Sequence, residues 1–177
     1  MNRKEIILAI LEIAEKQMTK EDRIRLEDVE SHTDFFNKVA PASARYHCSH
    51  DFGLLEHTYN VMRAVLDHKL YRNKEEKSQL LFLAFVHDLG KLLKYEKVEK
   101  GTGYKGSDWE YKTSYNDVLD TFYLLGAYTE ISYPEKMAIA YHHGGWTGDG
   151  IGNASFINQI GVFLHSADLI ASHIEEK

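Results

Sequence analysis

Between Arg3 and Met18 the apolar residues Ile6, Ile7, Ile10, Leu11, Ile13 and Ala14 recur at helical spacing, and Glu and Lys fill most of the remaining face. This predicts a packing helix. Lys20–Glu30 is charged and predicts a second, short helix, while Ala40-Pro41-Ala42-Ser43 breaks the pattern as a loop or helix entry. Leu54, Leu55, Thr58, Val61, Met62, Val65 and Leu66 mark a strong amphipathic helix, and Leu80–Leu93 is apolar nearly all round, which predicts a central helix. Over 95–112 the pattern changes to Tyr-Glu-Lys-Val-Glu-Lys, a Gly-Thr-Gly turn and Trp-Glu-Tyr-Lys, which predicts a β-hairpin or irregular flap. Three more helices are predicted over 115–128, 134–143 and 154–173, separated by Ile131-Ser-Tyr-Pro134 and the glycine-rich stretch 144–153. The expected fold is all-α, a single-domain bundle of about six to eight helices with one small β insertion.

Ligand-type residues interrupt these apolar faces. His87 and Asp88 sit inside the run Leu80-Leu-Phe-Leu-Ala-Phe-Val-His-Asp-Leu-Gly-Lys91. Burying a carboxylate beside an imidazole is costly unless something compensates it, and a bound cation compensates both. His57 stands three residues after Leu54 and four before Val61, which turns it to the buried side of its helix. Asp168 shares a face with Ile157, Gly161 and Leu164, and His142 lies in Ala140-Tyr-His-His-Gly-Gly145. Each has an ordinary alternative: a hydrogen-bonded core histidine for His57, an N-cap or buried salt bridge for Asp168. Taken together they spell His, His-Asp, His, Asp.

At 177 residues the chain is long enough for one sizeable core, and its net charge of −6 leaves no global basic field to hold a long nucleic-acid backbone. A small phosphorylated substrate is therefore expected over a polymer. Cys48 is the single cysteine, so no intramolecular disulfide forms. Flanked by His47 and His50, it lacks the paired spacing of a structural zinc site. No segment reaches the roughly 18 apolar residues of a membrane span, and no signal-peptide core precedes the first helix, so a cytoplasmic location is expected. The glycines of 144–153 follow no strand and lead into no Gly-Lys-Ser/Thr, so they do not form a nucleotide-triphosphatase phosphate loop.

The words GLLEH (53–57), HDLGK (87–91), YHHG (141–144) and HSADLIAS (165–172), in that order, resemble the HD-domain superfamily of metal-dependent phosphohydrolases. The likeness runs from about Thr33 to Ser172, and the entry Thr33-Asp-Phe-Phe-Asn-Lys-Val-Ala-Pro-Ala-Ser-Ala-Arg-Tyr-His47 is similar to short stand-alone bacterial and phage members. The HD module attached to certain 3′–5′ exoribonucleases is similar too. The resemblance implies that His57, His87, Asp88 and Asp168 hold one divalent metal, for which Mn, Fe, Co, Ni, Zn and Mg are all candidates. Such an ion makes a water nucleophilic near neutral pH and neutralises charge on phosphoryl oxygens. Asp88 is then expected to orient the nucleophile or bridge two metals.

Some members bind a second metal through two further histidines. His142 matches the later one, with His143 the less favoured of that pair, and Asp117 falls where the earlier one stands; the alternative for Asp117 is a helix cap. Lys91 falls where members often carry a lysine, which pairs with substrate phosphate or with a nearby carboxylate, unless it is a plain surface residue. Arg45, His47 and His50 form a cationic group, with Arg45 the expected phosphate fork beside His47. Tyr104, Trp109 and Trp146 either stack on a base or anchor their loops. The expected activity is hydrolysis of a phosphoester of a nucleotide or related metabolite. The rivals are a 3′–5′ phosphodiesterase on short RNA or DNA, a di-iron oxygenase, and a silent nucleotide-binding module. Oligomeric state stays open.

Overall fold

Asn2 accepts a hydrogen bond from the Glu5 amide while Glu5 reaches back to the Asn2 amide, a reciprocal cap that starts helix α1 (Arg3–Gln17). Ile6, Ile10 and Ala14 are the face it buries. The structure, a computed structural model, describes residues 1–112, 116–144 and 158–176. Thr19 caps α2 (Lys20–Thr33), a charged helix that runs three residues past the predicted end and is held to the core by Leu26 and Val29.

α3 (Gly53–Asp67) buries Leu54, Leu55, His57, Val61, Met62 and Val65, as its pattern predicts. Its first residue must be glycine, because a Cβ there would lie 1.6 Å from the Cys48 carbonyl oxygen of the preceding loop. α4 (Lys74–Val86) is capped by Asn73 and buries every residue from Leu80 to Val86, which makes it central.

The predicted helix over Leu80–Leu93 is split. After Val86 the backbone tightens to bonds spanning three residues: Leu89 to Val86, Lys91 to Asp88, Leu92 to Leu89 and Leu93 to Gly90. α5 (Lys91–Lys94) is a single turn beyond the break. Residues three apart eclipse in such a turn, so Asp88 and Lys91 come side by side. The break is held from outside. Gly90 donates its amide to Thr121 Oγ1 at 2.8 Å, and a Cβ on it would meet the Asp117 carbonyl at 2.1 Å.

The β-hairpin forms as predicted, with β1 (Tyr95–Lys97) antiparallel to β2 (Trp109–Tyr111) in the register Tyr95↔Tyr111 and Lys97↔Trp109. Trp109 is buried in a small satellite core with Ala44 and Tyr95, and Tyr104 packs against it. Both rings anchor the insertion, the second of the two alternatives given for them. Asn116, one residue before Asp117, caps α6 (Asp117–Gly126), and Ser132 and Glu135 form a reciprocal cap on α7 (Tyr133–Tyr141). Asn158 caps α8 (Gln159–Ile170), which widens into a π-helical turn over Ala171–Glu175. Trp146, Tyr115 and residues 145–157 of the predicted loop and helix entry lie outside the described residues. α3 packs on α1, α4 and α8, and α8 also packs on α4 and α7, so His57, the turn after α4, the end of α7 and the second half of α8 converge. No helix among the described residues is long and apolar enough to cross a membrane.

Candidate metal centre

His57, His87 and His142 are buried completely or nearly so, and each is tied at Nδ1. His87 Nδ1 lies 2.9 Å from the Ala84 carbonyl and His142 Nδ1 2.6 Å from the Ile139 carbonyl. A carbonyl only accepts, so both rings donate from Nδ1 and, when neutral, keep a lone pair on Nε2. His57 Nδ1 is held by the Glu176 carboxylate at 2.9 Å, with the same consequence.

The three Nε2 atoms turn inward to one carboxylate. His57 Nε2 and His87 Nε2 stand 3.5 and 3.4 Å from Asp88 Oδ2, and His142 Nε2 and His143 Nε2 stand 3.5 and 3.9 Å from Asp88 Oδ1. Asp168 Oδ1 closes the first group at 3.1 Å from His57 Nε2. None of these approaches satisfies the atoms: His57 Nε2, His87 Nε2, His142 Nε2 and Asp88 Oδ1 are buried without a hydrogen-bond partner among the described residues. Lone pairs facing carboxylate oxygens in a buried site repel unless a positive charge lies between them. Two groups with ligand atoms within 4.8 Å of one another result, His57–His87–Asp88 and Asp88–His142–His143, and both could hold a metal ion.

The protonation pattern shows the same demand for positive charge. Burial resists ionisation of Asp88, yet Lys91 and His87 outweigh it and hold the carboxyl well below its usual range; Lys91 Nζ sits 2.5 Å from Asp88 Oδ2. Burial likewise opposes charge on His57, but Asp168 and Glu176 overcome it and raise the imidazole to about 9. His142 is raised against burial by Asp88, whereas burial pushes His87 down. The charge on His142, together with burial, drives His143 down to about 2. The lowered carboxyl of Asp88 and the raised imidazoles of His57 and His142 both reflect the opposite charges gathered around them.

No family model, curated protein or solved structure matches the chain. The centre is therefore read from its own geometry. It opens onto a cleft of about 380 Å³ lined by His47, Lys91, His143, His165, Asp168 and His173, among others. A larger groove of about 820 Å³ elsewhere includes none of the centre's histidines or aspartates in its lining.

Most of the predicted site residues converge here, and two do not. Asp117 joins neither group: its Oδ2 accepts from Lys94 Nζ at 2.8 Å. Its alternative as a cap also fails, because Asn116 takes that position. The second group instead uses His143, the less favoured member of its pair. Arg45 is exposed, does not line the cleft, and its side chain makes no hydrogen bond among the described residues, so the phosphate-fork expectation gains no support. Lys91 is buried against Asp88, which removes the surface alternative. Cys48, His50 and Glu56 bring ligand atoms within 4.8 Å of one another, but burial and Glu176 push the thiol up, away from the thiolate a metal needs.

Glu176 was not foreseen. Its side chain is 1% exposed and accepts from His57, from Asn60 Nδ2 at 3.1 Å and from His47 Nδ1 at 2.7 Å. It lies beyond the apolar periodicity of α8, in a polar Glu-Glu pair that reads as solvated.

Proposed function

We propose that this chain is a metal-dependent phosphohydrolase of the HD kind, acting on a phosphoester of a nucleotide or a similarly small metabolite. The observation that carries the reading is the convergence of three Nδ1-anchored imidazoles and two carboxylates, with Nε2 and Oδ1 atoms left unpartnered, at the base of a cleft lined by imidazoles and a lysine. His57, His87, Asp88 and Asp168 would hold one cation, and His142 and His143 would complete a second on the other oxygen of Asp88. When bound, the ion supplies an activated water and offsets charge on the phosphoryl group. Lys91 lies where its ammonium can face phosphate oxygens at the cleft floor, and His47 and His165, whose Nδ1–H groups are given to Glu176 and to the His142 carbonyl, line the same cleft. The small cleft and the acidic charge favour a compact substrate over an RNA or DNA strand.

The test is metal analysis of protein purified without chelator, then a phosphate-release screen over mono-, di-, tri- and cyclic nucleotides with each metal added. Release from at least one nucleotide, abolished by Asp88→Ala, is expected; metal-free protein with no release under any loading overturns the reading. One observation favours a second reading. Asp88 divides its oxygens between two histidine pairs, and with Asp168 this makes six ligand residues, the number a dioxygen-activating two-iron site needs. Oxygen consumption by iron-loaded protein without phosphate release would select it.

A further inference from the structure

His87 and His142 receive their Nδ1 anchors from carbonyls three residues back, so those anchors come with the local backbone. His57 has no such local partner. Its anchor is a side chain brought from the far end of the described chain, where the Glu176 amide bonds back five residues to Ala171 and the wide turn packs on α3. Three donors converge there on one buried carboxylate: His57 Nδ1 and Asn60 Nδ2 on Oε1, and His47 Nδ1 on Oε2. A carboxylate offers only acceptors, so both imidazoles must present N–H to it. Their Nε2 atoms are thereby committed elsewhere. That of His57 faces Asp88 and Asp168, while His47 forms part of the cleft wall with Lys91 and His143.

We propose that Glu176 is a positioning residue with two clients, fixing His57 in the tautomer and orientation a divalent cation requires and holding His47 so that its Nε2 accepts from the P–O–H of a protonated phosphate in the cleft. The proposal rests on the cation reading above and adds to it a residue that touches neither metal nor substrate. A carboxylate anchor also makes an imidazole a better donor than a neutral carbonyl does, so His57 is the ligand most sensitive to its support. Spatially the two clients are adjacent: the rings of His47 and His57 lie 5.0 Å apart between centroids. Loss of the carboxylate therefore affects cation and anion together, whereas loss of His47 affects the anion alone.

The experiment uses the full chain stripped of metal, with Co²⁺ as the probe for the cation and inorganic phosphate as the probe for the anion. Glu176→Gln preserves shape but offers one acceptor and one donor, so one imidazole must face an N–H. It should weaken Co²⁺ binding by about 10–100-fold and alter the visible Co²⁺ spectrum, with Glu176→Ala at least as severe. His47→Gln should leave Co²⁺ affinity and spectrum as in the parent, weaken phosphate binding to the Co²⁺ form, and raise KM more than it lowers kcat. Melting of the metal-free variants checks that each is folded. If Co²⁺ affinity and spectrum are unchanged in Glu176→Ala while His87→Ala abolishes binding, the positioning role is wrong and the cation reading stands. Failure of the parent itself to bind Co²⁺ would remove both. Phosphate binding unaffected by His47→Gln would cancel the second client.

Discussion

Two polar clusters in this chain differ in one respect, whether their hydrogen bonds are completed. Around Arg25 no buried side-chain N or O atom lacks a hydrogen-bond partner among the described residues. Its guanidinium donates to Asp22 and Glu135, each at 2.9 Å, and to the Glu130 carbonyl at 3.0 Å. Ser78 completes Asp22 at 2.6 Å, and Ser132 gives both amide and hydroxyl to Glu135. Around Asp88 the reverse holds: three imidazole nitrogens and a carboxylate oxygen point at one another unsatisfied. The Arg25 cluster even borders the larger groove. Burial of charge and size of cavity therefore do not distinguish the two clusters, and unfinished hydrogen bonding does; Asp117 Oδ1 is a further buried oxygen without a partner among the described residues.

The largest expected effect tests that contrast directly. A divalent ion at a hundredfold excess over its Kd should stabilise the parent by about 2.7 kcal/mol, read as a rise in melting temperature that a chelator reverses. His87→Ala and Asp88→Ala should lose the rise entirely; Glu135→Gln should keep it. If Asp88→Ala kept it, the two clusters would no longer differ in kind.

Next in size is the cost of opening the closed cluster. Glu135→Gln removes charge-assisted bonds to Arg25 and should cost about 1.5–3 kcal/mol in denaturant unfolding. Acid sharpens the point. Burial works against ionised Glu135, but Arg25 and Ser132 outweigh it and lower its pKa below the ordinary value. A group depressed in the folded state contributes fully above its unfolded pKa and loses that contribution as pH falls through the folded one. The parent should thus shed this increment in the acid range below the usual carboxylate pKa, and Glu135→Gln should titrate with a shallower acid limb.

The smallest effect is expected at Arg45. Exposed and away from the cleft lining, Arg45→Ala should change stability by no more than about 0.5 kcal/mol and leave kcat/KM for phosphate release unaltered. A large fall in kcat/KM would return it to the substrate site.

Much of this was legible in the order of residues. The helices of Arg3–Gln17 and Gly53–Asp67 follow directly from apolar spacing, and the seven consecutive apolar residues Leu80–Val86 announce a central helix. His57, His87, Asp88, His142 and Asp168 stood out because each disturbs an apolar face. What escaped the pattern depended on contacts between distant elements. Leu89, Leu92 and Leu93 continue the apolar run, so nothing local announces the break after Val86. Asp117 stood out only through the resemblance, and only the fold reveals Lys94 beside it. Glu176 carries no apolar signature at all; its role depends on a wide turn that shifts the helical register by one residue.

Gly90 imposes a narrow mutational vocabulary on the centre. The atoms that a methyl group at this position would strike belong to backbone, the Asp117 carbonyl and the Thr121 amide, and backbone cannot swing aside as a side chain would. Thr121 also reaches the His87 carbonyl at 3.4 Å, so α6 grips the turn on both sides of Asp88. Alanine at 90, normally among the mildest of changes, would have to pry two elements apart and carry the His87-Asp88 pair with them. The aim of Asp88 is thus set by a residue with no side chain, acting through a helix that belongs to neither group of ligand atoms found among the described residues.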